Sequence, residues 1–251
     1  MEKFFSLYYK GQPLKVFSPH HRAALYVILG VIILLYIFRD KLREEPLKKT
    51  SRYTIGTLLL VQQLLYYAWH IYTGIWSLQE SLPFNLCAVT IFLEIIMLFS
   101  ERYDIFEIIY FFGLGGATQA LITPDIQGYG FPHFRFFQFF IAHGLIVIIV
   151  FYMVFVYQYR PTIKSIIKTF KMLIAFGIIV AVVNLLTGGN YSYLCEKPPS
   201  PSLMDILGPW PWYILSLLGI ATLTFIIVYL PFAIKDYIEK RKEVKKAKSK
   251  V

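Results

Sequence analysis

Seven long apolar runs constrain this chain more than any other feature of its sequence. They are read as Ala23–Phe38, Thr54–Tyr72, Leu82–Ser100, Ile105–Ile122, Phe134–Tyr157, Phe170–Thr187 and Pro211–Ile234. A helix needs roughly 20 mostly apolar residues to cross about 30 Å of hydrocarbon, and each run is closed by charges, proline or glycine. Of the 251 residues 57% are hydrophobic and only 16% charged, whereas soluble domains are about one-quarter charged. One buried core cannot take up that much apolar surface, so the runs meet lipid. The expected fold class is all-α: a polytopic membrane protein of seven transmembrane helices. Its parts are an interfacial N-terminal segment (1–22), a membrane domain (23–234) and a basic tail (235–251).

The net charge of +10 resembles at first the signature of a nucleic-acid binder. In a membrane protein the same excess encodes orientation. Loops one, three and five and the C-terminal tail hold 19 of the 25 Lys and Arg residues, with Arg135 counted in loop four. The positive-inside rule then sets the N-terminus outside and the C-terminus in the cytoplasm. The expected location is a cell membrane, spanned several times. The N-terminal tail runs against the rule, with Lys3, Lys10, Lys15 and Arg22 interleaved with Phe4, Phe5, Tyr8, Tyr9 and Phe17. That pattern suits a segment lying in the headgroups. The basic tail from Lys240 to Lys248 reads as a cytoplasmic face held near anionic lipid rather than as a nucleic-acid site. No cleavable signal is expected, because no small-residue cleavage site follows the first apolar run.

Polar side chains inside spans are costly and are functional candidates by default. Here they are Gln62, Gln63, His70, Asn85, Cys87, Glu94, Glu107, Gln119, Gln138, His143 and Asn184. With the direction of each span set by charge, Cys87 lies about 8 Å below the outer surface and His143 about 13 Å, a difference of one helical turn. His70, Gln119 and Asn184 fall near the outer ends of their own spans. A shared layer of polar groups points to a partly hydrated cavity open to the outer leaflet. Glu94, two turns deeper than Cys87 on nearly the same helical face, is its expected floor.

An imidazole within hydrogen-bond reach turns a thiol into a nucleophile, so Cys87 and His143 form a candidate catalytic pair. The competing reading makes Cys87 a small buried hydrophobe and His143 an interhelical hydrogen-bond donor. The outer segment with Asn190, Tyr191, Trp210 and Trp212 is rich in glycine, proline and aromatics. It reads either as an interfacial aromatic belt or as a structured lid, and the two are compatible. No metal site is expected, since His20 and His21 are adjacent rather than at ligand spacing. Nor is a retinal protein, because the seventh span has no lysine before Lys235. No cofactor is called for.

Five motifs carry a resemblance. They are Leu82-Pro83-Phe84-Asn85-Leu86-Cys87, the Thr123-Pro124-Asp125 turn, Ala142-His143-Gly144, the Asn190-Tyr191-Ser192-Tyr193-Leu194-Cys195 segment with Lys197-Pro198, and Gly208-Pro209-Trp210-Pro211-Trp212-Tyr213. From about Ile55 to Ile234 the chain resembles the YwaF-type integral membrane proteins of Gram-positive bacteria. That group is distantly similar to an animal membrane acyltransferase making arachidonoyl ether phospholipids, and to androgen-induced hydrolases of fatty-acid esters. The resemblance implies a required cysteine and histidine, matched by position to Cys87 and His143. The bacterial pattern often has histidine two residues before the cysteine; this chain has Asn85, which could still donate a hydrogen bond to an acyl carbonyl.

The function expected is a membrane lipid acyltransferase or acyl-ester hydrolase of the outer leaflet. Its partners would be membrane phospholipids, and its substrate-binding residues His70, Asn85, Glu94, Gln119, Asn184, Asn190, Tyr191, Trp210 and Trp212. The rival expectation is a lipid or small-molecule binding protein or transporter with an outward-facing polar cavity. The oligomeric state is not legible.

Overall fold

The structure, a computed structural model, describes residues 2–198 and 203–248, and among them it contains helices and no strand. Seven helices overlap the seven apolar runs, with ends that differ from those expected: α1 (Pro19–Ile37), α2 (Leu47–Tyr72), α3 (Leu86–Ser100), α4 (Tyr103–Ile122), α5 (Phe134–Phe155), α6 (Ile163–Thr187) and α7 (Trp212–Lys248). Five of them, α1, α4, α5, α6 and α7, are long and apolar enough to cross a membrane. The other two depart for visible reasons. α3 has 15 residues, and α2 carries Lys48, Lys49, Arg52 and two glutamines.

The core is built on α4 and α5. Phe106, Ile109 and Phe111 of α4 and Ile146, Ile149, Val150 and Tyr152 of α5 are fully buried. Met97 and Leu98 of α3 and Leu59 of α2 close the same cluster. α1 packs on α5, α6 on α4, and α7 on the middle of α4. These three are peripheral, and most of their apolar surface faces outward: Tyr26, Val27, Ile178, Leu185 and Leu215 are exposed. Outward-facing aliphatic surface on that scale is what lipid solvates and water does not.

Local chemistry sets where the helices begin and end. Pro19 opens α1 at a position that lacks an amide partner in any case. Thr162 and Ser165 form a reciprocal capping box that starts α6 seven residues before the expected Phe170. Gly188, at φ +70°, ends α6 in the left-handed conformation that suits glycine. α3 begins at Leu86 rather than at Leu82: Leu82 precedes Pro83, which disfavours helical backbone there, and the Leu82 amide donates to the Tyr191 hydroxyl at 2.9 Å.

α4 is not a plain α-helix. Residues Gly113–Ala117, Gly-Leu-Gly-Gly-Ala, form a π-helical segment between α-helical stretches. Such bulges recur at functional sites, since they stand against the lower energy of a regular helix.

The connections before α3 and α5 and after α6 gather at one end of the bundle, with the N-terminal segment. Trp69 Nε1 donates to the Phe5 carbonyl at 2.9 Å, Tyr129 Oη to that of Leu7 at 2.9 Å, and Tyr9 Oη to that of Phe131 at 2.9 Å. Residues 4–14 thus form a strap across this capped end. His21, fully buried at the start of α1, accepts from the Phe17 amide at 2.8 Å and contacts the Leu121 carbonyl at 2.7 Å. The opposite end carries Lys48, Lys168, Arg160 and the basic end of α7.

Candidate functional site around the glycine-rich turn of α4

Cys87 sits in the first turn of α3 and packs against the π-helical segment of α4. A Cβ built on Gly116 would lie 4.0 Å from its Sγ and 3.5 Å from Leu86. A methyl group would fit there in ordinary contact, so Gly116 leaves the thiol room that a larger side chain would take. Cys87 is half-buried, and both it and Cys195 are free thiols.

Two turns along α3, Glu94 is fully buried, and neither carboxylate oxygen has a hydrogen-bond partner among the described residues. Its Oε1 lies 3.8 Å from the Cβ position of Gly113, a position that also meets Val150 at 3.0 Å and Ile146 at 3.1 Å. Gly113 and Gly116 thus open a slot in α4 that receives α3 on one side and α5 on the other.

His143 lies on the same face of α5 as Ile146 and Val150, at i, i+3 and i+7. Its Nδ1 is 2.9 Å from the Phe139 carbonyl, and its ring stacks on Phe139 with centroids 4.1 Å apart. A carbonyl oxygen only accepts, so Nδ1 carries the proton and Nε2 is left with a lone pair. No hydrogen bond joins His143 to Cys87 among the described residues.

The remaining candidates separate into two groups. Asn184, Asn190, Tyr191 and Asn85 hold the loop after α6. Asn184 Nδ2 donates to the Tyr191 carbonyl at 3.1 Å, and the Tyr191 amide donates to Asn184 Oδ1 at 2.8 Å. The buried Tyr191 hydroxyl donates to the Leu78 carbonyl at 2.8 Å. Asn190 Oδ1 accepts from the Cys195 amide at 3.0 Å, and Asn85 Oδ1 from the Ser192 amide at 2.9 Å. Trp210 Nε1 reaches the Leu194 carbonyl at 3.0 Å, and Tyr213 Oη that of Tyr193 at 2.6 Å. The loop is therefore a fastened cover beside the start of α3. Trp210 and Trp212 stay more than 60% exposed, as an interfacial belt requires.

His70 and Gln119 stand apart from the slot. His70 Nδ1 pairs with Ser81 Oγ at 3.0 Å and its ring meets Tyr66 at 4.3 Å, while Gln119 is exposed.

Arg135 belongs with the buried polar residues, although its place one residue into a span reads as loop charge. It is 8% exposed and its Nη1 donates to Gln138 Oε1. Gln138 Nε2 in turn donates to Gln62 Oε1 at 2.9 Å. The only sequence signal was Gln138 one turn further along the helix. His133, two residues earlier, accepts from the Arg135 amide at 3.1 Å and donates from Nε2 to the Ser6 carbonyl at 2.9 Å. Burial holds the His133 pKa below its usual value, and the charge of Arg135 lowers it further, against the opposing effect of the Ser6 hydrogen bond.

Among the described residues no three His, Cys, Asp or Glu side chains gather as a metal site. No curated protein and no solved structure matches the chain significantly. The TMEM164 family matches residues 16–229, a range that holds α1 to α6, the glycine slot, Cys87 and His143. A multi-pass helical membrane protein over most of its length, the chain belongs to the TMEM164 family.

Proposed function

We propose that the chain is a membrane lipid acyltransferase or acyl-ester hydrolase in which Cys87 is the nucleophile and His143 the base. The observation that carries this reading is the tautomer of His143. Its Nδ1–H is committed to the Phe139 carbonyl, leaving Nε2 as acceptor on the helix face that meets the glycine slot, where the Cys87 thiol also packs. A base oriented by a second group is the recurring arrangement of activated nucleophiles.

His143 Nε2 takes the thiol proton as the sulfur attacks an ester carbonyl and a carbon–sulfur bond forms. Collapse of the tetrahedral intermediate breaks the ester carbon–oxygen bond, and the leaving oxygen takes the proton from His143. A lipid hydroxyl, or water in the hydrolase, then attacks the thioester carbonyl; its proton passes through His143 to the thiolate as the carbon–sulfur bond breaks. Closing the gap between Sγ and Nε2 accompanies substrate binding, since catalytic hydrogen bonds are often long without substrate. The fastened loop after α6 supports the same reading, because it covers the start of α3 and keeps water from the thioester.

In this proposal seven helices span a plasma membrane with the N-terminus outside, and the slot opens toward the outer leaflet. The substrates are membrane phospholipids. The kinship to YwaF-type proteins, the animal acyltransferase and the fatty-ester hydrolases belongs to the same reading.

Purified protein in liposomes, given a phospholipid acyl donor and a lysolipid acceptor, tests it. Cys87→Ala is expected to abolish transfer, and His143→Ala to reduce it by about 10²–10⁴-fold, the usual contribution of a general base. Full transfer by both variants overturns the Cys87–His143 mechanism in favour of other residues, and lipid binding with no transfer by the wild type overturns the reading in favour of a non-catalytic lipid binder.

A further inference from the structure

Two buried arginines in this chain are treated differently by their surroundings. Arg52 is 4% exposed and is neutralised: it pairs with Glu101 at 2.7 Å and donates to the Leu98 carbonyl at 2.7 Å. Arg135 is 8% exposed and is held differently. Among the described residues no carboxylate forms an ion pair with it, although Asp125 in the preceding loop favours its charge electrostatically.

What surrounds Arg135 is neutral. One nitrogen donates to Gln138 Oε1, and the guanidinium carbon lies 4.9 Å from the Tyr66 ring centre and 5.8 Å from that of Trp69. Gln62 holds Gln138 in place from α2. A ring face and an amide hold a cation without cancelling it. Nε and Nη2 of Arg135 have no acceptor among the described residues, whose fully buried unpartnered side-chain atoms are Arg52 Nε and the two Glu94 oxygens. Two donors of a planar fork, backed by a fixed cation, match the oxygens of a carboxylate or phosphate. A charge without an ion pair at this burial is otherwise among the costliest features a fold can carry.

We propose that Arg135 seats an oxyanion, the phosphodiester of a membrane phospholipid. Arg135 lies in the first turn of an apolar helix of 22 residues, at the level where headgroups meet a span. His143 follows two turns further along α5, about 12 Å deeper, so a phosphate held by Arg135 leaves the ester bonds and tails on the side of the glycine slot. The inference deepens the proposed function and rests on it for the identity of the lipid. Its test needs no turnover, so loss of the oxyanion seat and loss of acyl transfer are separate results.

The full-length protein is purified in a neutral detergent, and its thermal unfolding is followed against three additives. These are dioleoyl phosphatidylcholine, which carries a phosphodiester but no net charge; dioleoylglycerol, with the same tails and no phosphate; and inorganic phosphate. Phosphatidylcholine is expected to raise the melting temperature saturably and dioleoylglycerol to leave it unchanged. Arg135→Gln should weaken the apparent affinity at least tenfold, while Cys87→Ala leaves it as in the wild type. A response to inorganic phosphate alone, lost in Arg135→Gln, retains the oxyanion seat but overturns the lipid assignment. Should Arg135→Gln not fold, Arg135→Lys, which keeps the charge and loses the fork, is read in the same titration and should weaken binding severalfold. Equal responses to phosphatidylcholine and dioleoylglycerol, or undiminished phosphatidylcholine binding by the folded variant, overturn the proposal.

Discussion

Asn184 and Tyr191 exchange two hydrogen bonds, with the asparagine amide donating to the tyrosine carbonyl at 3.1 Å and accepting from the tyrosine amide at 2.8 Å. Both residues are buried, and between them they turn the chain from the end of α6 into the loop that covers the start of α3. Asn184→Leu removes the partners of both the N–H and the C=O of buried Tyr191, each costing about 1–3 kcal/mol when left unmade. Loss of about 2–6 kcal/mol is expected, read as a lowered melting temperature, with faster protease cleavage within 189–198.

Gly116 and Gly113 differ in the space beside them. A methyl group at Gly116 meets Leu86 at 3.5 Å and Sγ of Cys87 at 4.0 Å, ordinary contacts, whereas at Gly113 it meets Val150 at 3.0 Å and Ile146 at 3.1 Å. Gly116→Ala should be nearly neutral, while Gly113→Val should cost about 1–3 kcal/mol through overpacking. Gly116→Leu should slow maleimide labelling of Cys87 at least tenfold without equal loss of stability. Unchanged labelling would show that the thiol is reached by another path.

His133 makes the capped end sensitive to acid. Its Nδ1 accepts from the Arg135 amide and its Nε2–H donates to Ser6, so only the neutral ring serves both contacts. Burial, with Arg135 in support, lowers its folded pKa below the unfolded value of 6.5. Stability from this residue is therefore complete above about pH 6.5 and is lost as pH falls toward the lowered folded value. Melting temperatures of wild type and His133→Asn, compared from pH 8 to pH 5, should diverge at neutral pH and converge in acid. Asparagine keeps a helix cap without titrating.

Much of this architecture is legible in the residues themselves. Apolar runs locate seven helices, of which five are long and apolar enough to cross a membrane. Their ends are less legible: α3 starts four residues late, at Leu86, beyond the Leu82-Pro83 step, and α6 seven residues early, at its capping box. The π-helical turn is not legible either, since Gly113-Leu-Gly-Gly-Ala also fits an ordinary helix and only packing against α3 and α5 distinguishes them. Asn184 and Asn190 stand out as polar residues, yet their partners are loop amides that no helical period reveals. Arg135 is hidden by convention: one residue inside a span, it counts as loop charge until its side chain is seen turned in against Tyr66 and Trp69.

The central claim is that Cys87 carries an acyl group during turnover. Its most direct test is the intact mass of the protein, quenched in acid after brief exposure to a phospholipid of defined chains without acceptor. The account predicts a mass increase of one acyl chain, mapped to the peptide containing Cys87, discharged by added lysolipid and absent in Cys87→Ala. Transfer by Cys87→Ala at the wild-type rate, or an acyl group mapped to Ser81 or Thr90 instead, would contradict it.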